Sequence, residues 1–192
     1  MGANWVSKDK LSGEDIARLC AGGRKDVGMA TIPRKWPSEL EPEREQMLQA
    51  ATEAAQLLLD AQYKLDTARD KVRANPNLVL VLLAESDRMV YNALARLERI
   101  QRYIAVCRGA PLGGRWPSVA MRQRDQAAQA VQQASDVLSQ AQEVLSDAIE
   151  KSHSNPALVE TMIATVSYRQ ARALMLVERI ARLMTEAAVG RE

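Results

Sequence analysis

His153 is the only histidine of the chain, and histidine is the side chain best suited to proton transfer near neutral pH. It follows Glu150 by three residues, which is the Glu-x-x-His spacing that binds metal ions in the core of some helical bundles. Such a centre needs a second copy of the motif on a facing helix, but the matching stretch of the first half, Asp70 to Arg73, has no histidine. We therefore predict no metal site and expect His153 to be a solvated turn residue.

Carboxylates are the next residues with chemical potential. Asp60, Asp66 and Asp70 are close in sequence, and paired carboxylates can act as general acid and base. They alternate with basic residues such as Lys64 and Lys71, a pattern typical of a solvated helix face. The sequence has no glycine-rich phosphate loop, no nucleophilic serine motif and no cysteine motif for zinc or haem. We predict no catalytic residue and no cofactor, and we expect the protein not to be an enzyme.

Two tryptophans follow basic residues, in Lys35-Trp36 and in Arg115-Trp116. A cation beside an indole ring could stack a nucleic-acid base or a planar cation. The alternative is that each indole covers the open end of a helical bundle, beside the start of a helix. We favour the second interpretation, because the two tryptophans occupy equivalent positions of a repeat.

The repeat has an offset of 80 residues and covers most of the chain. Its two copies align without a gap and with 25 identities in 76 positions. Trp36 matches Trp116 and Asn75 matches Asn155, and these four residues define the repeat. Repetition on this scale indicates a duplicated structural unit whose copies bury each other's apolar faces.

Each copy begins with the pattern of a long helix. Ser38-x-x-Glu41 predicts a capping box that starts the helix after Ser38. The apolar residues behind it alternate in steps of four and three, which predicts one buried seam. The seam of the first copy is Met47, Ala51, Ala54, Leu58, Ala61, Leu65 and Ala68. The same seven positions of the second copy are Ala127, Val131, Ala134, Leu138, Ala141, Leu145 and Ala148.

A second helix follows in each copy after a short turn. Asn75 and Asn155 each precede a proline, and this order predicts an N-cap followed by the first helical residue. A turn this short forces the two helices to lie antiparallel. The predicted inward residues are Leu78, Leu82, Ala93, Leu97, Ile100 and Ile104, with Leu158, Met162, Ala173, Val177, Ile180 and Met184 as their counterparts.

These patterns predict an all-α fold in which a tandemly duplicated αα-hairpin forms a long antiparallel four-helix bundle. We predict that residues 1–35 form an irregular N-terminal arm with one short helix. The first hairpin covers 36–108, a linker covers 109–118 and the second hairpin covers 119–190. The same seams would also suit two splayed hairpins, each completing its core with another copy.

Composition sets bounds on the function. The 26 basic and 24 acidic residues leave a net charge of +2, so no global field attracts nucleic acid or a membrane surface. The two cysteines lie far apart and form no disulfide framework, which is typical of a reducing compartment. No apolar run approaches the length of a membrane span, and the N-terminal residues do not resemble a signal peptide. We expect a cytoplasmic protein, or one assembled into a particle there, with no membrane partner and no small-molecule substrate.

The two halves differ in apolar residues outside the seams. Leu80 and Val81 leave the start of the second helix apolar on every side, and their counterparts are Glu160 and Thr161. A helix that is apolar all round is usually covered all round. The candidate protein interface comprises Leu59, Tyr63, Leu80, Val81, Tyr91, Met175 and Leu176. It suggests a non-enzymatic structural or interaction protein that assembles with itself or with a larger complex. Such a chain would suit a phage particle or another multi-subunit machine.

Arginines suggest an alternative function. The candidate basic patch comprises Arg115, Arg122, Arg124, Arg179 and Arg182. The facing segment of the second hairpin has few acidic residues, so we expect these charges not to cancel, apart from a Glu178–Arg182 pair within one helix. A nucleic-acid-binding accessory subunit could use this patch, although the near-zero net charge argues against it.

Overall fold

A computed structural model describes residues 36–110 and 118–188, which form four long helices. Helix α1 spans Glu41–Lys71, α2 spans Pro76–Gly109, α3 spans Ser118–Lys151 and α4 spans Pro156–Ala188, and a short 3-10 helix, Ser38–Leu40, precedes α1. These ranges contain no strand. The predicted arm and most of the predicted linker lie outside the described residues. At 1.5 Å per residue each helix is about 50 Å long.

Each helix packs against two neighbours, in the cyclic order α1, α2, α3, α4. Packing is most extensive within the pairs α1–α2 and α3–α4 and least extensive between α2 and α3. Ion pairs join Glu53 to Arg96 and Lys64 to Glu85. A later residue of α1 thus meets an earlier residue of α2, which shows that the two helices run antiparallel. The predicted antiparallel bundle of two hairpins is therefore confirmed.

The predicted seams of α1 and α3 are confirmed as the core of the bundle. Met47 and its counterpart Ala127 are both fully buried, and the other twelve seam residues are buried as well. One hairpin alone could not exclude water from its seam. The burial of both seams therefore shows that the two hairpins cover each other's apolar sides.

The inward face of α2 starts one residue later than the sequence pattern predicts. Val79 and Leu83 are fully buried, whereas Leu78 is 37% exposed. Successive helix residues are rotated by about 100° about the helix axis. Val79 therefore lies on the same helix face as Ala93 and Leu97, whereas Leu78 points away from that face. The same correction applies to α4, where the buried residues are Val159 and Ile163, and the predicted Leu158 and Met162 are only half-buried.

This correction predicts unequal effects for neighbouring substitutions. Val79→Ala should lower the free energy of unfolding by about 2 kcal/mol, because it removes two methyl groups from a closed core. Leu78→Ala should cost less than about 1 kcal/mol, since its side chain is already partly in water. Urea denaturation followed by circular dichroism measures both. A larger loss of stability for Leu78→Ala than for Val79→Ala would support the sequence prediction that Leu78 faces the core.

The two helix starts after the turns are capped as predicted. The side chain of Asn75 accepts a hydrogen bond from the backbone N–H of Leu78 at 3.1 Å, and that of Asn155 accepts one from Leu158 at 3.1 Å. Each bond satisfies one of the amide groups that a helix start leaves without a partner. The identical geometry follows from the repeat.

The predicted capping box at Ser38 is wrong. The Ser38 hydroxyl donates to the Glu39 carboxylate, and the chain forms a 3-10 turn before α1 begins at Glu41. An α-helix starting at Ser38 would need the N–H of residue 42 to donate to the Ser38 carbonyl, and Pro42 has none. The second copy has Arg122 at this position, and α3 already includes Ser118.

One polar contact lies in the middle of the core. Ser86 Oγ donates to the Ala61 carbonyl oxygen at 3.4 Å, and Gln170 Nε2 donates to Ser86 Oγ at 3.4 Å. The repeat counterparts of Ser86 and Gln170 are Val166 and Val90, so this contact breaks the symmetry of the two hairpins. A buried polar contact of this kind favours one register of helix packing over others.

Candidate functional site

The end of the bundle where α1 begins and α4 ends is closed by Trp36. Its side chain is 5% exposed, and its indole Nε1 donates to the Leu40 carbonyl oxygen at 2.9 Å. Its backbone N–H donates to the carbonyl oxygen of Ala187 at 3.3 Å. The buried ring cannot stack on a base, so the structure agrees with its predicted role as a cover. Trp116 lies outside the described residues.

Arg44 also closes this end, and the sequence patterns did not single it out. Its guanidinium is buried, its Nε bonds both carboxylate oxygens of Glu41 at 2.9 Å, and its Nη1 donates to the Met184 carbonyl oxygen at 2.9 Å. The charged fork therefore joins the start of α1 to the last turn of α4. One signal was present: Arg44 and Arg124 occupy the same seam position in both copies.

The predicted basic residues differ in how available their charges are. Arg124 has a side chain only 11% exposed and forms an ion pair with Asp125 at 3.0 Å. Asp125 also pairs with Arg108 of α2 at 3.3 Å, so part of the charge at this end does cancel. Arg122, Arg179 and Arg182 are exposed. Arg115 lies outside the described residues, and a common patch stays a prediction.

The predicted interface residues fall into two groups. Tyr63, Tyr91 and Met175 are between 65% and 70% exposed, and Val81 is exposed as well. Leu59, Leu80 and Leu176 are half-buried. Tyr168 of α4, which the sequence comparison of the two halves did not select, is as exposed as Met175. The exposed members lie on three helices, α1, α2 and α4, and a common interface stays a prediction.

Tyr91 borders a shallow groove between α2 and α3. The groove has a volume of about 340 Å³ and is lined on α2 by Tyr91, Leu94, Ala95, Glu98 and Gln101 and on α3 by Ser135 and Gln142. It lies where the two hairpins pack least extensively. Its mixed lining offers no convergent set of charged groups for a small ligand.

The outer side of α4 has a regular row of exposed side chains. Tyr168, Arg172, Met175, Arg179 and Arg182 follow one another in steps of four and three, and all five are exposed. This spacing places them on one helix face, opposite the core row that includes Ala173, Val177 and Ile180. We call these five residues the α4 stripe. It is about 21 Å long at 1.5 Å per residue.

The arginines of the α4 stripe make no hydrogen bond or ion pair with another residue of the described ranges. The Glu178–Arg182 pair that the sequence predicts is not formed. Its repeat counterpart on α2 is formed instead, with Arg102 and Glu98 at 3.0 Å. The equivalent row of α2 is Arg88, Asn92, Ala95, Arg99 and Arg102. In that row Arg99 also has partners, since it donates to Gln46 and to the Tyr103 hydroxyl.

Cys107 is a free thiol in the core at the end of α2. Burial raises its pKa from 9.0 to about 11, and the negative charge of Glu43 acts in the same direction. A thiol in this state is protonated at neutral pH and is a poor nucleophile. Cys107 thus serves as a small apolar residue of the core, not as a reactive thiol.

Cys107 should react slowly in the folded protein. In a Cys20→Ser variant at pH 8, the raised pKa alone should lower the thiolate fraction, and hence the rate of modification by a disulfide reagent, by about 100-fold relative to the protein in urea. The unfolded chain releases this proton near pH 9, whereas the folded protein holds it to about pH 11. The contribution to stability is thus present below pH 9 and is lost as pH rises towards 11. Equal rates in both states would contradict the burial of Cys107.

Metal and membrane sites can be checked only within the described ranges. These residues contain no group of three or more histidine, cysteine, aspartate or glutamate side chains placed to hold a metal ion. His153 is exposed in the turn between α3 and α4, as expected from its position. None of the four helices contains an apolar stretch that could cross a membrane.

Comparisons with known protein families, with characterised proteins and with solved structures find no match to this chain.

Proposed function

We propose that this chain is a non-enzymatic helical protein that works by binding, and that it assembles with itself or with a larger complex. One observation carries the proposal. Tyr63, Tyr91, Tyr168 and Met175 are at least 65% exposed on a bundle whose core is closed without them. Tyrosine and methionine are enriched at protein interfaces and bury large areas there.

The shape of the bundle supports this role. A stable interface covers about 800 Å² on each partner, and the side of a rod about 50 Å long provides such an area. The buried contacts of Trp36 and Arg44 join the start of α1 to the last residues of α4, so this end of the bundle is closed before a partner binds. A surface that is already ordered loses less entropy on binding. A component of a phage particle or another multi-subunit machine would use a rod in this way.

Site-specific photo-crosslinking tests the proposal. A benzophenone amino acid is placed at position 63, 91, 168 or 175 of the full chain, in cells that produce it. Control positions are Gln129 and Asp136, which are exposed on α3. We expect adducts at the apolar positions and few at the controls. An adduct at a whole multiple of 21.2 kDa identifies self-assembly, and an adduct at a mass that is not such a multiple identifies a different partner. Equal yields at all positions, or no adduct at the four apolar positions, would count against the proposal.

Light scattering adds an independent measurement. The mass of the full chain is compared with that of a chain that lacks residues 1–35, over a range of concentrations. A concentration-dependent mass that changes on removal of the arm supports self-assembly. A monomer at every concentration, together with an absence of crosslinks, overturns the proposal.

Binding of nucleic acid is a second candidate function, because Arg122, Arg179 and Arg182 are exposed. The net charge of +2 opposes it, since proteins that bind the phosphate backbone usually have a clear positive excess. Binding of labelled DNA or RNA that weakens steeply with salt and is lost in the Arg179→Glu, Arg182→Glu variant would support it. An absence of binding at low salt removes it.

A further inference from the structure

We infer that the α4 stripe binds an acidic amphipathic segment of a partner protein, an inference that rests on the proposed binding function. The stripe combines two large apolar side chains, Tyr168 and Met175, with three arginines on one helix face. A matching segment has apolar side chains with helical spacing and carboxylates between them.

The order of residues along the stripe determines what fits. Arg172 lies between the two apolar residues, and Arg179 and Arg182 follow Met175 towards the end of α4. A partner with only carboxylates would leave Tyr168 and Met175 in water, and a purely apolar partner would bury arginines without counter-charges. Burying an unpaired charge is strongly unfavourable, so both features are needed.

The charges of the stripe are available for an external partner. Its three arginines are exposed and form no ion pair within the described ranges. Glu178 and Glu186 lie on the same part of α4 and pair with none of them. Arginine forms forked hydrogen bonds with carboxylates and packs against apolar groups along its stem, so it suits an interface of this composition.

The other outer faces do not combine these features. The α2 row has Ala95 where α4 has Met175, and its Arg99 and Arg102 already have partners. The outer side of α3 has acidic residues such as Asp136 and Glu143. The outer side of α3 lacks large exposed apolar side chains, so it would leave Tyr168 uncovered if a second copy docked through α3.

The outer side of α1 has the exposed Tyr63 between Asp60 and Asp66, so light scattering must accompany the test. A dimer that dissociates in the stripe variants would assign the stripe to self-assembly and overturn the inference, whereas a monomer that binds the probe supports a separate partner.

Fluorescence anisotropy with synthetic peptides tests the inference on the full chain. The probe is a labelled helical peptide as long as the stripe. Its leucines recur in steps of three and four residues, so that they lie on one helix face, and glutamates lie between them on that face. Its controls are a scrambled peptide of the same composition and a labelled DNA duplex. We expect the Arg172→Glu, Arg179→Glu, Arg182→Glu variant to bind the probe at least about tenfold more weakly. The Tyr168→Ser, Met175→Ser variant should also lose at least about tenfold in affinity.

A matched variant on α2 provides the internal control. Arg88→Glu with Arg102→Glu changes exposed charges at repeat positions outside the stripe and should leave the affinity for the probe unchanged. Equal binding of the scrambled peptide, or equal loss in the α2 variant, overturns the inference. Tighter binding of DNA than of the probe, lost in the same arginine variant, replaces it with nucleic-acid binding. If crosslinks form at positions 63 and 91 while the probe does not bind, the proposed function stands and only the assignment to α4 fails.

Discussion

Replacing Leu58 with alanine should lower the free energy of unfolding by about 3–5 kcal/mol, and Leu138→Ala should do the same. Both side chains are buried in the central seam, one in each hairpin and 80 residues apart. The substitution removes apolar contacts and leaves a cavity that neighbouring alanines are too small to fill. Each loss is a large fraction of the stability of an ordinary domain.

The two costs should agree within about 1 kcal/mol, because the alanines one turn before and after Leu58, Ala54 and Ala61, recur as Ala134 and Ala141 beside Leu138. Chemical denaturation of both variants measures this, with Leu59→Ala as the control. Leu59 is the next residue along α1 and is only half-buried, so its substitution should cost clearly less. A small effect of Leu138→Ala beside a large effect of Leu58→Ala would show that the second hairpin does not pack like the first.

Arg44→Ala should destabilise the protein by about 2–4 kcal/mol, although arginine is usually a surface residue. Most of this cost comes from losing the charged hydrogen bond that the buried guanidinium donates to the Met184 carbonyl oxygen, together with the packing of the arginine stem. The Glu41 carboxylate is 39% exposed, so water and salt screen its ion pair with Arg44 and its loss adds less. Loss of the guanidinium should also release the last turn of α4.

Three measurements separate these contributions. Arg88→Ala removes an exposed arginine and should change stability by less than about 0.5 kcal/mol. Arg44→Met keeps much of the buried stem and should retain part of the packing but not the hydrogen bonds. Hydrogen exchange in Arg44→Ala should accelerate at the amides of the last turn of α4 and leave the middle of the bundle unchanged. Unchanged exchange at this end would show that Arg44 does not hold the last turn of α4 in place.

The predictions for the core and for the outer surface are independent. The core substitutions test whether each hairpin covers the other, which any function of the bundle requires. The α4 stripe lies on the opposite side of its helix from the core row, so its variants should leave the denaturation midpoint nearly unchanged. A loss of binding in those variants can then be assigned to the surface.

Several features of the fold followed from the sequence alone, because each depends on neighbours within one or two helix turns. The four- and three-residue spacing of Met47 to Ala68 predicted a buried face, and the offset of 80 residues predicted a second one. The caps at Asn75 and Asn155 reach only three residues along the chain. Together these local patterns predicted the helices and the two hairpins. They left open whether the hairpins close on each other or stay splayed, and the contacts of α1 with α4 and of α2 with α3 decided that.

The tertiary structure decided the features that depend on which helices become neighbours. Arg44 meets the carbonyl oxygen of Met184, 140 residues away, and Gln170 meets Ser86, 84 residues away. Spacing within one helix carries no information about such pairs. The repeat placed Arg44 in line with the seam, but it could not show which group Arg44 meets. The α4 stripe is a similar case. Its arginines and those of α2 have nearly the same sequence context, and only the folded bundle shows that Arg99 donates to Gln46 of α1 while its counterpart Arg179 is exposed.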